Sequence, residues 1–356
     1  MKNTGPFIIN IDDISLSSSE KSIIKHDLVG GIIIFSHNFQ SKIQLQSLIA
    51  ELKSIKPDLL ISIDHEGGRV QRIKKDFTHL PSFESISNTS NISLAHDVAF
   101  CSGYISGYEL SEVGIDINYS PVVDIYNDQN SKLLKDRTFG SDINKVITLS
   151  KKYIDGCLMA GVLPVLKHYP GHGRVHSDSH IANCVSNTEI EELMNTDIRP
   201  FRELANYYCD YQIPIMTNHV LYRMFDDNIT TYSKKWLALK ANEVFDKIPL
   251  FISDDLEMYS AKFYDNKEIK CEDRVLMALD AGCRLVIVTT MQHQKIIKEK
   301  MSYKYFSDNY LTNNIIKYCE KNHDKMYDIN LSSNRLNKNR VEYDKCLSNL
   351  NTWNMQ

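Results

Sequence analysis

Val162-Leu163-Pro164-Val165-Leu166-Lys167-His168-Tyr169-Pro170-Gly171-His172-Gly173-Arg174-Val175-His176-Ser177-Asp178-Ser179-His180 reads as a buried strand running into a loop crowded with titratable groups. The apolar run 162–166 is short and rich in β-formers. The four histidines at 168, 172, 176 and 180 keep a four-residue step, which on a helix would make one stripe. Pro170, Gly171 and Gly173 argue against that helix, because proline removes a donor and glycine costs helix stability. A loop after a strand is the better reading, and loops that gather titratable groups favour chemistry over packing.

The same unit recurs along the chain. Short apolar runs at 7–11, 31–35, 59–63, 115–123, 162–166, 213–217, 250–252 and 285–288 read as strands. Helical periodicity fills most of the gaps, as at 43–55, 92–113, 144–160 and 188–207. Eight strands alternating with helices predict an α/β fold, a (β/α)8 TIM barrel, with a doubly wound sheet as the alternative. Polar clusters favour the barrel, since each sits just after a strand. They are Asp64-His65-Glu66-Gly67-Gly68-Arg69, Asp124 with Asp136-Arg137, the histidine loop, Asn218-His219, and Ser253-Asp254-Asp255. Barrel enzymes build their sites from loops at that end. From about residue 302 the composition turns to Lys, Asn and Tyr, with amphipathic stretches at 315–325 and 336–350. We expect one barrel domain over 1–300 and a helical extension over 301–356 packed on it.

A chain of 356 residues can bury roughly three quarters of its unfolded surface and needs no disulfide or metal staple. A net charge of −4 makes no electrostatic case for nucleic acid or an anionic membrane as partner. The eight cysteines are scattered without a C-x-x-C pair, as suits reduced thiols. No signal peptide and no 18-residue apolar run are visible, so a soluble, cytoplasmic protein is expected; a monomer is the expected state.

The clusters admit more than one reading. Ser253 and Asp255 suit a helix N-cap, while Asp254 beside the histidine loop suits a carboxylate nucleophile toward a sugar carbon. Asp178-Ser179-His180 offers a carboxylate close to an imidazole that both donates and accepts protons near neutral pH. A zinc site would need better ligand spacing than these histidines have, so neither metal nor cofactor is expected. Gly67-Gly68 serves either close backbone approach to a ligand or a simple turn. Arg69, Arg72 and Arg137 suit sugar hydroxyls or ordinary ion pairs.

Taken in order, these segments resemble glycoside hydrolase family 3, in its single-domain bacterial β-N-acetylglucosaminidase branch (the NagZ type). The motifs include Gly30-Gly31-Ile32-Ile33-Ile34-Phe35, Asp64-His65-Glu66-Gly67-Gly68-Arg69-Val70-Gln71-Arg72 and Ser120-Pro121-Val122-Val123-Asp124. They continue with Asp136-Arg137-Thr138-Phe139-Gly140, Lys167-His168-Tyr169-Pro170-Gly171-His172-Gly173, Asp178-Ser179-His180 and Ser253-Asp254-Asp255-Leu256. The resemblance fades beyond about residue 300. It implies Asp254 as nucleophile, His180 as general acid/base and Asp178 as its orienting partner. Asp64, Arg72, Arg137, Lys167 and His168 match positions that hold the sugar. It also implies release of GlcNAc from GlcNAc-1,6-anhydro-MurNAc, with or without a stem peptide, during peptidoglycan recycling. Two alternatives stand beside it: a β-GlcNAc phosphorylase on the same barrel, and a non-catalytic muropeptide-binding protein. Glu257 and Arg284 depart from the usual pattern, which bears on rate and aglycone preference.

Overall fold

The structure is a computed structural model and describes residues 5–128, 133–175, 179, 182–264, 267–289 and 333–354. Runs rich in Ile, Val and Leu form β1 (Phe7–Ile9), β2 (Val29–Ile34), β3 (Leu60–Ile63), β4 (Ile117–Asn118) and β5 (Leu163–Pro164). Further along come β6 (Leu166–Tyr169), β7 (Ile215–Thr217), β8 (Phe251–Ser253) and β9 (Val286–Val288). Each of the eight expected segments contains strand. Two differences stand out: of the expected 115–123 only Ile117–Asn118 is strand, and at 166–169 strand continues through Lys167 and His168 into what the sequence suggested was loop. Lys167 can lie inside because two carboxylates neutralise it there, as described below.

All nine strands pair in parallel. One sheet runs β9-β1-β2-β3-β4-β5 and a second runs β8-β7-β6. Single parallel bridges link Val122, beyond β4, to Lys167 of β6, and Ile252 of β8 to Leu285, just before β9. Helices Ser18–Ile24, Lys42–Ile55, Ile92–Glu112, Ile143–Ala160, Ile198–Tyr207 and Cys271–Ala281 separate successive strands, giving an α/β fold. Local capping marks where they begin. Ser41 accepts from Gln44 N at 3.2 Å, and Asp142 accepts from Lys145 N at 3.1 Å. The expected helix 188–207 is two, Ile190–Asn195 and Ile198–Tyr207. It breaks at Thr196-Asp197, where the Asp197 carboxylate turns to Arg174 Nε at 2.9 Å.

Strand alternation builds two apolar layers. Phe7, Ile9, Ile32, Ile61 and Ile63 pack in the large cluster that includes the helices. Ile8, Ile33, Leu60, Ile117, Leu163, Met216, Ile252 and Ile287 form a separate inner cluster with residues from eight of the nine strands. Strands apolar on both faces are what a parallel sheet covered on both sides requires.

The C-terminal helix Ser333–Asn354 lies against Ile92–Glu112. Tyr343 donates to Glu109 Oε1 at 2.7 Å and its ring sits 4.6 Å from that of Tyr108. Trp353 Nε1 donates to Thr89 Oγ1 at 3.0 Å. The expected helix 336–350 falls within this element, whereas 315–325 and the boundary drawn at 300 lie outside the described residues. Among the described residues, no helix is long and apolar enough to cross a membrane.

Candidate active site

The C-terminal ends of β3, β6, β7 and β8 surround a cavity of about 250 Å3. Asp64, Arg72, Arg137, Lys167, His168 and Asp254, all singled out from the sequence, line it together. His180 and Asp178 lie outside the described residues, but Ser179 between them is described and lines the same cavity. Arg69, which the sequence offered to sugar hydroxyls or an ion pair, joins His172, Met216 and Met258 in completing much of the wall; sequence reasoning gave the last three no individual role. The two methionines come from strand β7 and the turn after β8, where only the fold reveals which apolar residues reach the mouth.

A chain of five charges crosses the floor. Arg72 Nη2 donates to Asp64 Oδ2 at 3.0 Å, and Lys167 Nζ to Asp64 Oδ1 at 2.8 Å. Lys167 also meets Glu66 Oε1 at 2.7 Å, and Arg137 grips both oxygens of Glu66 at 2.9 and 2.7 Å. Burial alone would raise both carboxyls. Lys167 and Arg72 outweigh it at Asp64, holding that acid well below its ordinary value. Arg137 and Lys167 do the same at Glu66, which is held down to about 2. These groups therefore stay ionised and fixed, ready to meet hydroxyls with several donors and few acceptors.

The turn that delivers Asp64, Glu66, Arg69 and Arg72 settles the Gly-Gly question. His65–Gly67 pairs antiparallel with Val70–Gln71. Gly67 has φ +108, and a Cβ there would stand 2.4 Å from the Pro81 carbonyl oxygen. The glycines make a tight hairpin. Arg69 Nε reaches Asp136 Oδ1 at 2.7 Å, so the arginines and acids of this turn and of Asp136-Arg137 lock the two loops crosswise.

Asp124 is wholly buried beneath the histidines. Its Oδ2 stands 2.7 Å from His168 Nδ1, and its Oδ1 accepts from the backbone N–H of His168 at 3.2 Å and of His172 at 2.7 Å. Burial pushes the His172 imidazole down to about 4, so it is neutral at pH 7, with Nε2 3.3 Å from Ser179 Oγ. The histidine loop is anchored at both ends. Arg174 ties its start to Asp197, and a Cβ on Gly173 would lie 1.8 Å from Ile125 O. At its far side Ser260 N donates to Ser179 O at 3.0 Å and Ser260 Oγ to Ala182 O at 2.6 Å.

Asp254 and Asp255 diverge as adjacent residues past a strand must. Asp254 lines the cavity, and its Oδ1 accepts from Asp255 N at 2.8 Å. It has no cation partner among the described residues, unlike Asp64, Glu66 and Asp136. Asp255 turns to structure. It accepts from Glu257 N at 3.0 Å and from the Thr289 hydroxyl, and burial raises its carboxyl to about 6. Glu257, the departure noted in the sequence, is neutralised by Arg274 and by Lys262 Nζ at 2.8 Å. Asn218, from the cluster after β7, donates to the carbonyls of His168 and Gly171 at 3.2 and 3.1 Å and so serves the loop from behind.

A sequence model of the glycosyl hydrolase family 3 N-terminal domain matches residues 8–315. The chain is 36% identical over 285 residues to a protein named beta-hexosaminidase from Psychromonas ingrahamii, covering 79% of this chain and 82% of that one. It is 37% identical over 294 residues to a beta-hexosaminidase from Hydrogenovibrio crunogenus, covering 80% and 78%. Among solved structures, native NagZ from Neisseria gonorrhoeae superposes with a TM-score of 0.81 at 26% identity, covering 99% of this chain and 98% of that one. The same Neisseria protein in complex with N-trifluoroacetyl-D-glucosamine gives a TM-score of 0.80 at 27% identity, covering 98% of each.

Proposed function

The chain belongs to glycosyl hydrolase family 3 and is a glycosidase of the β-N-acetylhexosaminidase type, and on that premise we propose that it removes terminal β-linked GlcNAc from peptidoglycan fragments with retention at the anomeric carbon. The fragments are GlcNAc-1,6-anhydro-MurNAc with or without a stem peptide, taken up for recycling in the cytoplasm. One placement carries the reading: Asp254, unpaired with any cation among the described residues, shares a cavity with five fixed polar groups and with Ser179, the neighbour of His180. The similar Neisseria structure bound to an N-acylated glucosamine supports GlcNAc as occupant.

The parallel sheets, linked by the Val122–Lys167 and Ile252–Leu285 bridges around one inner apolar cluster, support a closed (β/α)8 barrel in which β5 and β6 together make one strand, with the cavity at its C-terminal mouth. Asp64, Arg72, Arg137, Lys167 and His168 hold the sugar. Asp254 attacks the anomeric carbon as the glycosidic C–O bond breaks, and His180 gives its proton to the leaving oxygen. Water then attacks the glycosyl-enzyme; His180 takes its proton and the Asp254 carboxylate departs. Asp178 orients His180 and favours its charged form. Retention requires the two reacting groups roughly 5 Å apart across the bond.

An aryl 5-fluoro-β-GlcNAc inhibitor tests this. The sugar mass should appear on the peptide holding Asp254, and Asp254→Ala should abolish turnover of an aryl β-GlcNAc. Labelling of Asp255 or Glu257, or an α-configured first product by NMR, would overturn the assignment. GlcNAc-1-phosphate formed in phosphate buffer would identify phosphorolysis instead.

A further inference from the structure

Every cation on the cavity floor can only donate hydrogen bonds, and both oxygens of Asp64 are already engaged by Lys167 and Arg72. A sugar hydroxyl that accepts from these donors must still place its own proton. His168 lines the cavity, and its Nε2 makes no hydrogen bond among the described residues. Its Nδ1 faces Asp124 Oδ2 at 2.7 Å, while the other oxygen of Asp124 takes two backbone N–H groups. An ionised carboxylate only accepts, so Nδ1 keeps its proton in either charge state of the ring. The neutral ring then carries its lone pair on Nε2.

We propose that Asp124 is a positioning residue that makes His168 a hydrogen-bond acceptor toward one sugar hydroxyl, in a site otherwise rich in donors. Burial alone would raise the Asp124 carboxyl, but the neighbouring His168 and His172 hold it below its ordinary value, consistent with an ionised acceptor. The inference rests on the reading that GlcNAc occupies this cavity. Through the backbone of His172 the same carboxylate also fixes the entry to the histidine loop.

Asp124→Asn inverts the arrangement at constant shape. The amide oxygen still accepts the two backbone N–H groups, while the NH2 faces His168 Nδ1 and drives the ring proton to Nε2. Cavity acceptor becomes donor. We expect kcat/KM on an aryl β-GlcNAc to fall about 10- to 100-fold, the effect of one buried hydrogen bond facing the wrong way. Aryl substrates lacking the 3-, 4- or 6-hydroxyl identify the partner: on one of them wild type and Asp124→Asn should turn over equally. In 15N NMR the wild-type His168 ring should carry its proton on Nδ1, a readout that needs neither substrate nor a folded variant. A wild-type Nε2–H tautomer, or a folded Asp124→Asn enzyme with unchanged kcat/KM, overturns the inference and leaves the glycosidase reading standing. Failure of the wild type to cleave any β-GlcNAc overturns that reading instead, and the NMR result still decides the tautomer.

Discussion

Lys167 Nζ lies 2.7 Å from Glu66 Oε1 with both side chains 2% exposed, a buried ion pair on the floor of the cavity. Two charges leave water only at a large desolvation cost, and their attraction offsets it when further partners saturate both groups. Here Asp64 takes a second donor of Lys167 and Arg137 takes both oxygens of Glu66. The site's rigidity follows, because no member can turn away without stranding another.

Glu66→Ala leaves Lys167 with Asp64 alone and removes the carboxylate that Arg137 grips. We expect a loss of about 3–5 kcal/mol in urea unfolding, the usual consequence of removing one partner from a buried pair. A loss below 1 kcal/mol would show that water enters and replaces the carboxylate.

The same network sets acid sensitivity. Glu66 is held down to about 2 from an ordinary 4.5, so its contribution is complete above the unfolded value. That contribution, of order 3 kcal/mol, is lost as pH falls from about 4.5 through 2. Asp64, shifted in the same direction, adds to the slope. Unfolding free energy measured over this window should fall steeply in wild type and less steeply in Glu66→Gln; parallel curves would remove Glu66 from the account.

Glu257 stands three residues past Asp254, and its charge is spent on Arg274, which is 1% exposed, and on Lys262. Glu257→Leu should destabilise by about 3 kcal/mol by stranding Arg274, and adding Arg274→Met should recover most of it. Turnover by the folded double variant should stay within a few-fold of wild type. A large loss of kcat there would give Glu257 an electrostatic part in the reaction.

His180→Ala removes the proposed proton donor. Aryl β-GlcNAc substrates with poor leaving groups should slow by orders of magnitude more than dinitrophenyl ones, whose departing oxygen needs no proton. Equal loss across the series would place His180 in binding.

Where some strands end was legible because a buried strand and a charged loop differ in composition, and Ser253 followed by Asp254 marks that change as clearly as Ile63 followed by Asp64. Lys167 and His168 were harder, since a lysine inside a sheet contradicts composition unless its counter-ions are known. Those counter-ions, Asp64 and Glu66, lie about a hundred positions away in sequence, and no local pattern announces them. Asp124 was visible as a strand-end acid, but its task depends on His168 Nδ1 arriving from another strand. The cis Lys167–His168 peptide gave no sequence signal.

By itself the chain determined the alternation of apolar runs and amphipathic helices, hence a parallel α/β architecture, and which strand ends carry reactive groups. Periodicity and composition act over a few residues, and these properties are local. Tertiary structure alone decided which arginines are ion-paired across loops and which acids hold the buried Lys167. It also decided which nitrogen of His168 faces a carboxylate. Such choices are made by groups brought within about 3 Å from distant parts of the chain, where hydrogen bonds and desolvation discriminate and sequence spacing does not.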